Sequence, residues 1–233
     1  MLSSHLRARS YRLGEFLYDT DEPLRYLFFP VSGVISLQAV LGDGSGVEVG
    51  TVGSEGMVGS QILMALRESA NMRAVCQMPC QVLLLPVNGL IAWLGGRQQL
   101  PDVLMAYFQV QLIETMQSVA CNRLHRLTQR CARSLLVSHD RIHSDQLPMT
   151  HEFMAQMLGS RRASVTTALG RLQASGAISY RRGQVVVVDR ELLEDAACEC
   201  YEYVRSAREQ LTPPPATWLA AHVVREAVGA ATG

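Results

Sequence analysis

Lysine is absent from this chain of 233 residues, and long uninterrupted apolar runs are absent as well. All 21 basic residues are arginines, and they balance 21 acidic residues, so the composition is not that of a general coat for nucleic acid. No stretch of about 18 or more uncharged apolar residues occurs, which excludes an ordinary transmembrane helix. The N-terminal residues lack the apolar centre and cleavage site of a secretory signal. We therefore expect a cytoplasmic protein without membrane contact.

No cysteine precedes Cys76, and the six cysteines of the chain are expected to be reduced thiols in the cytoplasm. Two close pairs, Cys76 with Cys80 and Cys198 with Cys200, could act in redox sensing or bind a metal. Neither pair has a matching second pair at the spacing of a zinc finger. Packing as small buried apolar side chains is the favoured interpretation. No metal site and no cofactor are predicted.

The arginines are unevenly distributed along the chain. Ten of the 21 lie between Arg123 and Arg182, where the only acidic residues are Asp140, Asp145 and Glu152. A neutral chain with one basic segment is typical of a protein with a local anion-binding face.

The pattern of residues changes twice along the chain and predicts an α+β fold. Short apolar runs separated by glycines, from about 14 to 88, predict an all-β sandwich or barrel. After Pro101 neither glycine nor proline occurs until beyond His143, and apolar residues recur on one face of a helix. That stripe consists of Met105, Phe108, Leu112, Met116 and Val119. It could pack onto the β-domain or onto its own copy in a second subunit, and its approximate heptad spacing favours a parallel dimer.

Residues 149–176 predict two helices joined by a tight turn. Thr150 is placed to cap the first helix, and Gly159 to end it in the left-handed conformation. The second helix would expose arginines and hydroxyl groups, which can bind phosphates and base edges. The pattern is degenerate, and a helical hairpin with solvated arginines is the alternative. A hairpin around Arg182-Gly183 follows, and "RELLEDAACECYEYVRSA" predicts one further helix.

The hairpin after the two helices makes a winged helix and favours DNA binding. Arginine can form two hydrogen bonds to guanine, and threonine or serine can reach phosphate or bases. The predicted DNA contacts are Thr150, Arg161, Arg162, Ser164, Thr166, Thr167, Arg171, Arg181 and Arg182.

Motifs along nearly the whole chain resemble the Crp/Fnr family of bacterial transcription regulators. They are "EPLRYLFFPVSGVISL" and "VGTVGSEGMVG" in the β-domain, and "LPMTHEFMAQMLGSRRASVTTALGRLQASGAISYRRGQVVVVDRELLE" near the C-terminus. The resemblance implies a jelly-roll-like β-roll of the cyclic-nucleotide-binding type (1–98), a long dimerisation helix (99–125) and a winged helix-turn-helix (126–205). Residues 206–233 are expected to form a mobile tail. By the same resemblance, Arg162 falls on a base-contacting arginine and Thr150 on a phosphate contact.

The residues that bind effectors in the family are replaced in this chain. Members that bind cyclic nucleotides hold the ribose with a glutamate after a glycine, and the phosphate with an Arg-Ser or Arg-Thr pair. Here Ser60 follows Gly59, and Ala70 and Asn71 stand where the pair is expected. Burying a phosphate without a charged partner is costly, so ordinary cyclic-AMP binding is disfavoured. The remaining effector candidates are Ser60, Arg67, Arg73 and Thr115.

The oxygen-sensing branch of the family uses an N-terminal cysteine cluster, so its iron–sulfur centre is not expected here. The residue patterns and the family resemblance together predict a homodimeric, sequence-specific regulator that binds a pseudo-palindromic site on double-stranded DNA. RNA polymerase is a further candidate partner. The alternative is a small-ligand or redox sensor whose output is a protein partner. An enzyme is not expected, because no nucleophile, base and orienting group occur in a characteristic motif.

Overall fold

The computed structural model of the chain describes residues 6–64, 70–93 and 102–211. Its strands are β1 (Arg7–Tyr11), β2 (Phe16–Tyr18), β3 (Tyr26–Val40), β4 (Gly46–Val52), β5 (Arg73–Pro86), β6 (Gln146–Pro148), β7 (Ile178–Arg181) and β8 (Gln184–Val187). Its helices are α1 (Gln61–Met64), α2 (Val87–Trp93), α3 (Asp102–Leu124), α4 (Leu127–Ile142), α5 (His151–Met157), α6 (Arg162–Ala174), α7 (Arg190–Ala196) and α8 (Cys200–Leu211). The predicted α+β class is confirmed. Most of the predicted tail, from residue 212 onwards, lies outside the described residues.

Two long strands, β3 and β5, dominate the N-terminal sheet. The strand order is β1-β5-β3-β4, and β2 also pairs with β5. At Gly33 a Cβ atom would collide with the carbonyl oxygen of Pro79 and with Cys80, and φ is +81°. Only glycine combines that conformation with so close an approach of two backbones.

Contacts divide the chain into two compact units, and along α3 the boundary lies between Gln111 and Leu112. The core of the first unit combines strand side chains with α2 and the first turns of α3. Its buried members are Leu27, Phe29, Met57, Leu85, Val87, Leu90, Leu104 and Tyr107. The Tyr107 hydroxyl donates to the Met57 carbonyl at 2.7 Å and accepts from the Met57 N–H at 3.1 Å. These bonds attach the start of α3 to the β-domain.

Phe108 does not belong wholly to the exposed stripe that the sequence predicted. Its side chain is partly buried against the core of the β-domain and lies beside the ring of Tyr107, with centroids 6.1 Å apart. A heptad pattern cannot distinguish a residue at the edge of the stripe from one that packs on its own domain, and here Phe108 packs on the β-domain.

The second unit contains the winged helix. Helix α6 packs against α4 and α5, and α4 packs against α7. The small sheet has the order β6-β8-β7, and β7 pairs with β8 from Ile178↔Val187 to Arg181↔Gln184. Its buried core includes Leu135, Leu136, Met154, Leu158, Val165, Leu169 and Val185.

The single helix predicted from Arg190 onwards is wrong, because two helices occupy this segment. Helix α7 ends at Ala196, and Ala197 is extended, with φ −78° and ψ 167°. No glycine or proline marks the break in the sequence, so the residue types gave no signal for it. The break places Cys198 and Cys200 at the N-terminal end of α8. In the part of the chain that the structure describes, no helix has the length and apolar character needed to cross a membrane.

Candidate nucleic-acid interface

Helices α5 and α6 form a helix-turn-helix whose turn is set by Thr150 and Gly159. The Thr150 hydroxyl accepts a hydrogen bond from the Phe153 N–H at 3.1 Å and so caps α5. Gly159 has a φ of +55°, and the Ser160 N–H donates to the Ala155 carbonyl at 2.9 Å. The chain therefore reverses in the short left-handed turn that the sequence predicted, and α6 begins at Arg162.

Helix α6 has one buried and one exposed face. Val165, Leu169 and Leu172 are at most 2% exposed and face the core of the second unit. All nine predicted DNA contacts are exposed: Thr150, Arg161, Arg162, Ser164, Thr166, Thr167, Arg171, Arg181 and Arg182. We call these nine residues the recognition surface. Helix α6 itself carries no acidic residue.

The threonine hydroxyls on α6 are engaged within the protein. Those of Thr166 and Thr167 donate to backbone carbonyls one turn earlier, at 3.0 and 3.1 Å. The Nδ1 atom of His151 lies 2.9 Å from the Thr166 hydroxyl, and the ring stacks near Tyr180 with centroids 4.1 Å apart. Burial, and then the charge of Arg162, lower the pKa of His151. This shift favours the neutral imidazole, which would add no charge to the recognition surface.

Within the described residues, the ion pair of the Arg162 side chain is weak. Its Nε atom lies 3.8 Å from a carboxylate oxygen of Glu152, and the two side chains are 70% and 72% exposed. Ion pairs at this exposure contribute about 0–1 kcal/mol. The guanidinium can therefore exchange Glu152 for another acceptor at little cost.

The tip of the wing is the two-residue turn Arg182-Gly183 between β7 and β8. Both residues have positive φ, +48° and +82°, as in the type I′ turn that matches the twist of a hairpin. The side-chain oxygen of Gln173 on α6 accepts a hydrogen bond from the Tyr180 N–H at 3.0 Å. That bond attaches the wing to α6, and the turn exposes Arg181 and Arg182.

Arg73, one of the effector candidates, has a structural partner in the β-domain. Its guanidinium donates two hydrogen bonds to the Asp19 carboxylate, at 2.8 and 2.9 Å, and lies 4.7 Å from the centre of the Phe16 ring. The hydrogen bonds from Arg73 hold the pKa of Asp19 below its ordinary value. Arg73 is therefore already neutralised and would have to leave Asp19 before it could bind a phosphate.

The remaining effector candidates are Ser60, Thr115 and Arg67. Ser60 is half-buried directly after Gly59, which has a φ of +88°. Thr115 is half-buried on α3. Arg67 lies outside the described residues.

The predicted dimerisation stripe on α3 is exposed apart from Phe108. Met105, Leu112, Met116 and Val119 are 53%, 60%, 63% and 65% exposed. Their steps of seven, four and three residues place them along one face of the helix.

The structure brings together one group of side chains that the sequence analysis missed. Cys198 and Cys200 lie beside Cys121 and His125 of the α3 region, and the ligand atoms of all four lie within 4.8 Å of one another. The Cys121–His125 pair and the Cys198–Cys200 pair are more than 70 residues apart in sequence, so no motif along the chain linked them. The i, i+4 spacing of Cys121 and His125 on one helix face was the available signal. Cys76 and Cys80 are buried on β5, with their sulfurs 3.5 Å apart.

Two family models match the chain in the order of its parts. The cyclic nucleotide-binding domain matches residues 8–95, and the Crp-like helix-turn-helix domain matches residues 129–196. Together they match about two thirds of the chain. The chain belongs to the Crp/Fnr family and is a DNA-binding transcription regulator.

Individual relatives are distant but extend over most of the chain. The global nitrogen regulator of Synechococcus elongatus is 22% identical over 191 residues, which cover 78% of this chain and 86% of that protein. The structure of FixK2 from Bradyrhizobium japonicum aligns with a TM-score of 0.69 at 21% identity, covering 83% of this chain and 98% of FixK2. The c-di-GMP-responsive regulator CLP of Xanthomonas campestris aligns with a TM-score of 0.64 at 20% identity, covering 80% and 95% of the two chains. These structural likenesses show the shared fold.

The wing turn allows a test that separates DNA contact from folding. Arg182→Asn removes a charge but supplies a residue that adopts positive φ easily, so stability should stay unchanged or rise by on the order of 1 kcal/mol. Binding to DNA should weaken, and the slope of log affinity against log salt should fall by about 1. The measurements are thermal unfolding and fluorescence-anisotropy titrations at several salt concentrations. Arg205→Gln removes an exposed arginine of α8 and is the control, which should leave the salt slope unchanged. An unchanged slope for Arg182→Asn would remove this residue from the recognition surface.

Proposed function

We propose that this regulator acts as a homodimer that binds a pseudo-palindromic DNA site through its recognition surface. The observation that carries the proposal is the exposed face of α6, which begins at Arg162 directly after the N-cap residue Arg161 and contains no acidic residue. The helix-turn-helix holds that face away from the core, because Val165 and Leu169 on the opposite face are buried. Two copies would place two α6 helices in successive major grooves.

Within the recognition surface, position along α6 suggests a division of roles. N-terminal residues of a recognition helix reach base edges, so Arg161 and Arg162 are proposed to read guanine with paired hydrogen bonds. The hydroxyl protons of Thr166 and Thr167 are used within the helix. These side chains can therefore offer DNA a methyl group and an acceptor oxygen, which suits thymine methyls or base amino groups.

The remaining members of the surface are proposed to hold the DNA backbone. Thr150 caps α5, and its hydroxyl proton can donate to a phosphate, while Arg171, Arg181 and Arg182 add positive charge. Such contacts fix register and orientation without reading sequence.

Arg162→Ala tests the base-reading role directly. Specific binding should weaken by about 1–3 kcal/mol, with relaxed preference at one base position of each half-site. The binding site is first selected from random DNA with the unmodified protein, and both proteins are then titrated on it by gel shift. Arg7→Ala, an exposed arginine on β1, is the control and should bind as the unmodified protein does. Equal affinity of Arg162→Ala for the selected site would contradict the assignment.

The exposed stripe on α3 supports the homodimer. A helix of 23 residues is about 35 Å long, and four large apolar side chains line one face of it. Apolar side chains aligned in this way mark an interaction site rather than scattered surface exposure. Steps of seven, four and three residues are the pattern that packs against a copy of itself in a two-stranded coiled coil.

Leu112→Asp places a charge in the middle of this stripe and should convert the dimer to a monomer. Burying an unpaired carboxylate at the interface is costly, whereas the free helix face tolerates it. Leu41→Asp is a matched control, since Leu41 is 61% exposed and Leu112 is 60% exposed. Sedimentation analysis should give the dimer mass for the control and the monomer mass for Leu112→Asp. A dimer that persists in Leu112→Asp would show that the subunits associate elsewhere.

Cyclic AMP is not proposed as the effector. Ser60 stands where the family has a ribose-binding glutamate, and Arg73 is paired with Asp19. A calorimetric titration of the full chain with cyclic AMP should give no binding tighter than about 1 mM. DNA affinity should be the same with and without the nucleotide. Stoichiometric micromolar binding would contradict this proposal and leave the DNA-binding role intact.

A further inference from the structure

Four side chains that can bind a metal converge at the C-terminal end of α3. The Cys121 sulfur lies 3.5 Å from the Cys198 sulfur, and the Cys200 sulfur lies 3.4 Å from Nδ1 of His125. All four ligand atoms lie within 4.8 Å of one another. The three cysteines are at most 4% exposed, and the His125 side chain is 17% exposed.

Local backbone structure presents these side chains to a common point. Cys121 and His125 lie one helical turn apart, and the His125 N–H donates to the Cys121 carbonyl at 3.1 Å, so both face the same side. The break after α7 turns Cys198 and Cys200 towards that side at the start of α8.

The spacing of the ligand atoms suits one tetrahedral zinc ion. Zinc binds cysteine sulfur at about 2.3 Å and histidine nitrogen at about 2.0–2.1 Å, so tetrahedral ligands lie about 3.6–3.8 Å apart. To admit the ion, the contacts of 3.5 and 3.4 Å would open by roughly a few tenths of an ångström, and a pair at the 4.8 Å limit would close by about 1 Å. An iron–sulfur cluster places several iron and sulfide atoms between its ligands and needs a wider cavity than this group encloses.

Neighbouring groups orient the ligands as in known zinc sites. Nε2 of His125 lies 3.1 Å from a carboxylate oxygen of Glu199, so Nε2–H is the donor and Nδ1 is left to face the thiols. Metal-binding histidines commonly donate their second N–H to a carboxylate in this way. The side-chain amide of Gln117 donates to the Cys200 sulfur at 3.0 Å. A purely apolar cysteine core would not need either contact.

Positive charge near the site matches the charge of the complex. Three thiolates and a neutral imidazole around Zn²⁺ carry a net charge of −1. Arg133 interacts electrostatically with Cys121, and Arg130 does so with Cys121 and Cys198.

We propose that Cys121, His125, Cys198 and Cys200 form a structural Zn²⁺ site. Four protein ligands leave no open position, which is the arrangement of a structural rather than a catalytic zinc. The ion would join the end of α3 to the start of α8 and hold His125 at the junction between α3 and α4. It would thereby set the position of the winged helix relative to the exposed part of α3. The site does not depend on which DNA sequence the protein binds.

The full chain, purified under reducing conditions and stripped with a chelator, is titrated with Zn²⁺ alone and followed by native mass spectrometry. We expect one zinc per chain. Replacement by Co²⁺ should give the strong visible bands of a tetrahedral ion and a thiolate charge-transfer band. Cys198→Ser and Cys200→Ser should lose the metal, whereas Cys131→Ser, which changes a buried thiol of α4, should keep it.

His125→Cys is a control for metal loss caused by misfolding, because four thiolates can still bind zinc. This variant should bind one Co²⁺ with a spectrum shifted towards four-thiolate coordination. Glu199→Gln weakens the contact that orients His125, and zinc affinity should fall by about 10–100-fold in competition with a chromophoric chelator. Glu202→Gln, an exposed glutamate on the same helix, is the matched control and should bind zinc normally.

Failure to bind stoichiometric zinc in the reduced protein would overturn the proposal. Equal loss of metal in Cys131→Ser and Cys198→Ser would also overturn it, as would a Cys121–Cys198 disulfide that persists under reducing conditions. None of these outcomes bears on DNA binding by the recognition surface, which the Arg162→Ala titration tests separately.

Discussion

Burial of one face of α6 is the constraint on which the candidate DNA interface depends. Val165, Leu169 and Leu172 pack into the core formed with α4 and α5, and this packing fixes the rotation of α6 about its own axis. That rotation also sets the direction of every other side chain on the helix. It is the reason why the arginines and threonines of α6 are exposed. The hydrogen bond between Gln173 and Tyr180 extends the same constraint to the wing.

Helix α3 has to satisfy two demands along its length. Its first turns complete the core of the β-domain through Leu104 and Tyr107, and Phe108 covers the edge of that core. Further along, Leu112, Met116 and Val119 are exposed in a line. The proposed dimer contact and the packing onto the β-domain therefore use different side chains of α3.

The β-domain has the fold of the cyclic nucleotide-binding domain, and Arg73 within it is paired with an acidic side chain of the same domain. Among the described effector candidates, Arg73 is the one with a cationic side chain, and it forms an ion pair with Asp19. By the family resemblance, Ser60 stands where members that bind cyclic nucleotides have a glutamate. The Arg73–Asp19 pair joins β5 to the residue that directly follows β2.

Local patterns in the sequence determined much of this protein. The helix-turn-helix and its wing were predictable from the local preferences of three residues. Thr150 caps a helix, Gly159 adopts the left-handed conformation, and Gly183 favours the turn of a hairpin. Tertiary structure decided the rest, because packing between distant segments leaves no local signature. Tertiary packing places Phe108 against the edge of the β-domain core and pairs Arg73 with Asp19. It also ends α7 before Cys198 without a glycine or proline. The same break brings Cys198 and Cys200 to Cys121 and His125, and no spacing rule along the chain can reveal a contact that forms only when α8 folds back onto α3.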